Sequence, residues 1–371
     1  MKKCLGCGVT LQTIDPQMPG YIRQDVFENL NEENGVVYCE RCYKLIHYNQ
    51  NTVVEIKEEV FFENIKKIND KDVLIVNVVD IFDLEGTLVE NIRKYFLFQD
   101  LIVIGNKFDL FLESVKREKI KDYLDNYLKE KNINPIHTLI TSSLNKQDLE
   151  TLGETLEKYA NGRDIYFFGY TNVGKSSLLN GLLDYYKVDR QKITVSQIPA
   201  TTLDLIEITL PNQLKLYDMP GIINPKQLTH YLEKKNLKLV LPKKRVKPKV
   251  YQLEPGQVLF IGGVCRIIFE KGANASFVVY VSNNLIVHRR KKTNYHKFYE
   301  EHKDDLLKIP NKNERKGLGN FVQYKYQITK EEKIDITISG LGFITIVGDA
   351  YVTIETFANL KVAKRKAIIW V

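Results

Sequence analysis

The stretch "DIYFFGYTNVGKSSLLN", residues 164–180, runs from an apolar strand through a glycine-bearing loop into a helix. Gly169 to Ser176 fit G-x-x-x-x-G-K-[ST] at every fixed position. In such a loop the glycines let backbone N–H groups turn toward phosphate oxygens, and the helix N-terminus adds the positive end of its dipole. Gly169, Asn172, Val173, Gly174, Lys175, Ser176 and Ser177 are therefore candidate contacts to a nucleotide. Lys175 would reach the β- and γ-phosphates, and the Ser176 hydroxyl would hold Mg²⁺.

Such a loop needs an acidic metal partner at the end of a neighbouring strand. "KLYDMPG" (215–221) supplies Asp218, and the Gly221 N–H can sense the γ-phosphate. D-x-x-G alone is common in turns; placed 42 residues after Ser176, on the second strand of an expected hairpin, it carries weight. "PATTLD" (199–204) offers hydroxyls between them, with Thr202 the first choice as second Mg²⁺ ligand and Thr201 the alternative. An ordinary solvated loop would read the same way. Lys175, Asn172, Thr202 and Gly221 are the candidate catalytic residues.

Upstream, the apolar run "LIVIG" ends in "NKFD" (106–109). An aspartate there, Asp109, can accept from the N1–H and exocyclic amine of guanine, a pairing adenine cannot offer. Asn106 would reach the base edge and the phosphate loop, and the Lys107 stem would cover the ring. "TSS" (141–143), with Ser142 and Ser143, closes the next strand and would lend a backbone N–H to the guanine carbonyl oxygen. The base-reading loops thus precede the phosphate loop, the reverse of the usual order.

Around these motifs strands and helices alternate. Strands are expected at 73–80, 101–106, 137–143 and 164–169, helices at 88–98, 113–132, 147–159 and 175–186, and a hairpin over 202–221. This predicts an α/β P-loop domain with a doubly wound, mostly parallel sheet. Beyond 240 comes "LPKKRVKPKV", expected to be a linker or basic arm, and then short strands with turn signals that suggest a separate β-rich domain. The expected divisions are 1–50, 51–240 and 241–371.

The 371 residues, 44% apolar and 27% charged, suit two or three domains. No run approaches the ~20 apolar residues that cross a bilayer, and "MKKCLGCG" has no apolar segment behind its lysines, so a cytoplasmic protein is expected. The net charge of +8 is uneven: residues 241–371 hold 24 Lys/Arg against 12 Asp/Glu, the remainder 30 against 34. A basic surplus of that kind serves phosphate-backbone binding or forms a solvated face. In "HRRKKTNYHKFYEEH" (288–302), Tyr295, Phe298 and Tyr299 would stack on bases with Arg289, Arg290, Lys291 and Lys292 on phosphates, or else form the buried stripe of a helix. "GLGFITI" (340–346) would be a glycine-rich edge for RNA or a simple turn.

Cys4, Cys7, Cys39 and Cys42 form two C-x₂-C pairs 31 residues apart, a spacing that four thiolates around one structural Zn²⁺ satisfy. The turn-rich segment has too few apolar residues for a core of its own. Disulfides are disfavoured without export, and redox chemistry would need one pair beside a βαβ unit. His47 lies nearby, but four sulfurs already complete the shell. Cys265 is expected to be a small buried apolar residue in a strand.

The motif order base, base, phosphate, switch, switch resembles the circularly permuted GTPases of the translation-factor-related class, specifically the YqeH type. "CLGCG…YCERC" and the basic β-rich tail resemble it too, so the likeness covers nearly the whole chain. Two positions depart from the usual pattern: Ala200 stands where glycine is common, and "DMPG" replaces D-T-P-G. The resemblance implies GTP/GDP and Mg²⁺ as cofactors and a role in assembling the small ribosomal subunit, with rRNA as partner. No membrane or DNA partner is expected, and the protein is expected to be a monomer. Ile222 stands where small Ras-like GTPases carry a water-orienting glutamine, so intrinsic hydrolysis should be slow. In related GTPases an asparagine at the Asn172 position helps hold a monovalent cation, which implies K⁺; a loop-stabilising amide is the plainer alternative. Two further readings compete: a G-protein regulator of an RNA-modification enzyme, and a nonhydrolysing RNA-binding scaffold.

Overall fold

The structure is a computed structural model that describes residues 2–4, 10–14, 20–28, 37–40, 43, 55–65, 71–188, 194–197, 204–273 and 275–369. The chain divides into two compact units, each built of several pieces. The first comprises 1–79, 89–106 and 128–223, the second 80–88, 107–127 and 224–371.

The strands of the first unit are β1 (Glu55–Lys57), β2 (Leu74–Asp80), β3 (Asp100–Asn106), β4 (His137–Ile140), β5 (Ile165–Phe168), β6 (Thr194–Gln197), β7 (Asp204–Thr209), β8 (Lys215–Asp218) and β9 (Gly221–Ile223). Seven form one sheet in the order β4-β3-β2-β5-β8-β7-β6. β3–β4, β2–β5 and β5–β8 pair in parallel, and β6–β7–β8 is antiparallel, the expected hairpin included. Leu74, Ile75, Val76, Val78 and Val79 are all inaccessible to solvent, which is why β2 reads as an unbroken apolar run rather than an alternating one. β1 pairs in parallel with β9, placing Ile56 opposite Ile222.

The helix Lys146–Ala160 starts where the Asn145 side chain accepts from the Gln147 and Asp148 amides, and it ends at left-handed Asn161. It buries Leu149, Leu152, Leu156 and Ala160 along one face. The helix Lys175–Tyr185 buries Leu178, Leu179, Leu182 and Leu183. In place of a helix over 88–98 there are two single turns, Leu84–Thr87 and Ile92–Tyr95, because Leu88 is extended (ψ 129°) and stops the first. At the N-terminus Cys4, Leu11, Ile22 and Cys39 form a small buried cluster with Phe27, Val37 and Tyr38 against it.

The second unit adds ten strands: β10 (Lys249–Leu253), β11 (Gln257–Ile261), β12 (Cys265–Gly272), β13 (Ala275–Val281), β14 (Val287–Lys291), β15 (Phe321–Ile328), β16 (Lys333–Ile338), β17 (Gly342–Val347), β18 (Ala350–Phe357) and β19 (Val362–Lys366). They make two five-stranded sheets, β10-β13-β17-β16-β19 and β14-β11-β12-β18-β15. Both contribute to one apolar cluster, so they pack as a sandwich, and Cys265 lies buried inside it. Alternation along β11 sorts its side chains: Leu259 and Ile261 enter that cluster, while Val258 and Phe260 join a second one with Tyr295, Phe298 and Tyr299.

One open alternative is decided here and one expectation changes. Tyr295, Phe298 and Tyr299, on the helix Tyr295–His302, are buried against the outer face of the sheet and do not stand out for base stacking. The "LPKKRVKPKV" stretch is no free arm. Val246 is buried and donates its N–H to Leu110 O at 2.8 Å, Asn283 bonds both Arg245 O and Lys247 N, and Lys249 opens β10. A buried valine amid the lysines gives the segment a seat that its composition hides.

Candidate nucleotide-binding site

The phosphate loop lies between β5 and the helix Lys175–Tyr185. Asn172 (φ 65°) and Gly174 (φ 86°) are left-handed and turn the backbone in on itself. A Cβ on Gly169 would fall 2.4 Å from Val78 O, so only glycine lets the loop leave the sheet here. Val173 is buried, Ser176 half-buried, and Asn172 and Ser177 exposed. The helix begins with Leu178 N–H donating to Gly174 O, leaving its first amides directed into the loop.

The D-M-P-G stretch is held against this loop by backbone pairing. Met219 N donates to Phe167 O (3.0 Å), Ile222 N to Gly169 O (3.1 Å) and Thr171 N to Ile222 O (2.8 Å). Asp218 and Gly221 thereby come beside the phosphate loop, and buried Lys175 Nζ donates to the Asp218 carboxylate and to Met219 O (2.6 Å). Burial pulls the Lys175 ammonium down to about 7. Ile222 is wholly buried and contributes no polar group. Glycines, helix N-terminus, lysine, hydroxyl and carboxylate together fit a Mg²⁺-bound nucleoside triphosphate. Thr201 and Thr202 lie outside the described residues.

Of the base-reading residues, Asn106 ends β3 with its side chain buried, its Nδ2 donating to Val173 O at 2.9 Å. Its Oδ1 has no partner among the described residues, an acceptor within the candidate site. The "TSS" amides are distributed unevenly. Thr141 N–H goes to Gly105 O, Ser142 N–H to Asp148 Oδ2 and Leu144 N–H to Ser142 Oγ. Among the described residues the Ser143 N–H has no such partner and is left to meet a carbonyl oxygen. In the second unit, Lys107 takes a left-handed conformation (φ 70°) that a lysine adopts at some cost, and its Nζ is held by Asp80 Oδ2 at 2.6 Å. Asp109 is half-buried in the short turn Phe108–Leu110 that follows. The sequence reading missed Asp80 and Asp148. A carboxylate at the very end of a buried strand was the available signal for Asp80.

Cys4 and Cys39, one from each cysteine pair, are both buried, and the Cys39 N–H donates to Cys4 Sγ at 3.1 Å. Cys7 and Cys42 lie outside the described residues, and among the described residues no group of three or more His, Cys, Asp or Glu gathers as for a metal. In the second unit, Arg289, Arg290, Lys291 and Lys297 line a cleft of about 610 Å³ together with Tyr295, Phe298 and polar neighbours that include Glu301. Its wall is β14, the outermost strand of its sheet. Among the described residues no helix is long and apolar enough to cross a membrane.

A phosphate loop that follows the guanine motif on one mostly parallel sheet defines a circularly permuted P-loop GTPase, an enzyme that hydrolyses GTP. A family model described as "50S ribosome-binding GTPase" matches residues 164–253, and one described as "YqeH-like, C-terminal" matches 274–368. The YqeH protein of Bacillus subtilis (strain 168) is 36% identical over 367 residues, covering 99% of both chains. The NO-associated protein 1, chloroplastic/mitochondrial, of Arabidopsis thaliana is 27% identical across 92% of this chain and 69% of its own. The GNP-bound YlqF crystal structure from T. maritima shares 20% identity over 46% of this chain and 61% of its own, with a TM-score of 0.29, too slight to bear on the fold. The chain belongs to the YqeH family.

Proposed function

We propose that this GTPase is a switch in assembly of the small ribosomal subunit, touching rRNA through the cleft beside β14. The observation that carries the reading is the cleft itself. Arg289, Arg290, Lys291 and Lys297 face one space with a single carboxylate, Glu301, among the lining residues. The Arg290 guanidinium lies 4.3 Å from the Phe298 ring centroid, stacked and held for a phosphate rather than trailing in solvent. Tyr295 and Phe298 line the cleft but keep only 7% and 8% of their surface exposed, so recognition falls mainly on the backbone of the RNA and affinity should fall steeply with salt.

In the nucleotide site, Lys175 would leave Asp218 for the β- and γ-phosphates, freeing the carboxylate to hold Mg²⁺ with Ser176 and Thr202. Asp109 and the Ser143 N–H would read guanine, with Asn106 bridging base and phosphate loop. Asn172, exposed and left-handed at the rim of the loop, would help hold K⁺ where Ile222 offers no polar group. Cys4, Cys7, Cys39 and Cys42 would hold a structural Zn²⁺ that folds the N-terminal segment; the amide-to-sulfur contact between Cys39 and Cys4 supports this. A cytoplasmic location fits these partners.

The test is GTP hydrolysis by the full chain, alone and with purified small or large subunits, in K⁺ and in Na⁺ at equal ionic strength. Stimulation by the small subunit, larger in K⁺ and abolished by Lys175→Ala, is expected. Stimulation by the large subunit alone would redirect the assignment, as the name of the family model over 164–253 suggests. Stimulation by neither would reject a ribosomal role.

A further inference from the structure

A buried ion cluster in the second unit takes no part in the chemistry above. Arg365, in β19, donates from Nη1 to both Glu85 carboxylate oxygens (2.9 and 2.7 Å) and to the Tyr123 hydroxyl (2.7 Å). Its Nε donates to Asp335 Oδ2 at 3.2 Å, and the Tyr123 hydroxyl donates in turn to Glu85 Oε1 at 2.6 Å. The side chains of Arg365, Glu85 and Asp335 are 9%, 3% and 0% exposed. Charges this deeply buried tolerate one arrangement, because losing one partner leaves the others without a counter-charge. Surface pairs impose no such geometry.

The ends of this cluster are what make it functional. Glu85 and Tyr123 sit on the two short segments, 80–88 and 107–127, that also carry or touch the residues after Asn106. Asp80 holds the Lys107 ammonium, and Arg117 lies 4.4 Å over the ring of Phe108, the variable position of N-K-x-D. From Phe108 a chain of ring contacts runs through Phe111 (5.9 Å) and Phe82 (5.5 Å) to Phe343 (5.2 Å) in β17. Asp83 accepts from Gln227 Nε2 (2.8 Å) and the Gly340 amide (2.7 Å), and Leu110 O accepts from Val246 N (2.8 Å). The backbone bearing Lys107, Phe108 and Asp109 is thus anchored on side chains of the C-terminal sandwich.

We propose that Arg365 is a positioning residue for guanine: from the last strand of the sandwich it fixes the segments on which Lys107–Asp109 stand. The base is bound alike before and after hydrolysis. Loss of the anchor should therefore weaken GTP and GDP equally and leave the chemical step alone. The inference rests on assigning Asn106–Asp109 to guanine, and the control variant separates the two.

The experiment measures dissociation constants for fluorescent GTP, GDP and ATP analogues, together with kcat at saturating GTP, on the full-length chain. Arg365→Met should raise both guanine-nucleotide constants by about tenfold and narrow the preference over ATP, with kcat within about twofold. Tyr123→Phe, which removes one hydroxyl, should give a smaller change of the same kind and serves if Arg365→Met does not fold. Arg365→Lys should recover part of the loss, since charge returns without the fork. Asp109→Asn should shift preference from GTP to xanthosine triphosphate. If it does so while folded Arg365 and Tyr123 variants keep wild-type affinities, or lose kcat in place of affinity, the positioning role is wrong. If Asp109→Asn leaves GTP affinity unchanged, the guanine assignment itself falls.

Discussion

At the scale of single residues, Asp83 is a strongly perturbed buried carboxyl of the second unit. Burial raises its carboxyl from 3.8 to about 7, opposed by the Gln227 hydrogen bond, raised further by Asp80, opposed by the Gly340 amide and raised again by Glu85. The folded chain therefore keeps a proton that the unfolded chain loses near pH 4. The stability this provides is full below the unfolded value and is lost as pH rises through about 7, at roughly 1.4 kcal/mol per unit inside that window. Asp83→Asn presents the shape of the protonated acid at every pH, with its oxygen still able to accept from Gln227 and Gly340. In urea titrations the wild type should lose stability relative to Asp83→Asn between about pH 5 and 8, by a few kcal/mol in total. A constant difference across that range would show Asp83 ionised throughout. Lys175, Ser176 and Asp218 were legible in the sequence because their chemistry forces a fixed local spacing. Asp80, Asp83 and Glu85 were not, because each derives its role from a partner distant in sequence: Lys107, Gly340 or Arg365.

At the scale of elements, the helix Tyr295–His302 shows how one stretch can support two readings until its neighbours are known. Its aromatics at i, i+3 and i+4 fit a buried stripe, and its cations fit a phosphate surface; β11 and β12 decide the matter by turning Val258, Phe260 and Ile268 outward to meet the rings. Phe298 packs edge-on against Phe260 at 5.3 Å and stacks with His288 at 5.2 Å, so it supports the β14 wall of the cleft from beneath. Phe298→Ala should destabilise the protein by about 3–5 kcal/mol in denaturant unfolding. Arg289→Ala and Arg290→Ala should change unfolding by less than about 0.5 kcal/mol, while lowering RNA affinity and flattening its salt dependence. Equal loss of stability in all three variants would mean that the arginines are structural. β2, β3, β4, β5, the β7–β8 hairpin and the helices Lys146–Ala160 and Lys175–Tyr185 were legible from periodicity, since buried parallel strands are continuous apolar runs, while the short strands β1, β6 and β9 were not. The seat of Val246 was not, because the tie that holds it is the carbonyl of Leu110.

At the scale of the molecule, the order of the motifs was legible and the interleaving of the two units was not. Contact with a distant strand, rather than composition, puts 80–88 and 107–127 with the C-terminal sandwich. The chain passes from the first unit to the second between Asn106 and Lys107, inside the guanine motif, and again between Ile223 and Asn224, just after Gly221. Two of the loops expected to touch nucleotide therefore continue straight into the unit that bears the basic cleft. A change at Gly221 on loss of the γ-phosphate has only Ile222 and Ile223 to cross before reaching that unit. If it does cross, the full-length protein must bind RNA with different affinity in its GTP and GDP forms, by about fivefold or more for a working switch. Linkage then fixes a second measurement: RNA must shift the ratio of GTP to GDP affinity by the same factor. Arg365→Met, which removes the anchor proposed for Lys107–Asp109, should lower guanine-nucleotide affinity without abolishing this ratio. Matching RNA affinities in the GDP form and in the form bound to a nonhydrolysable GTP analogue would show that Gly221 and the cleft act independently.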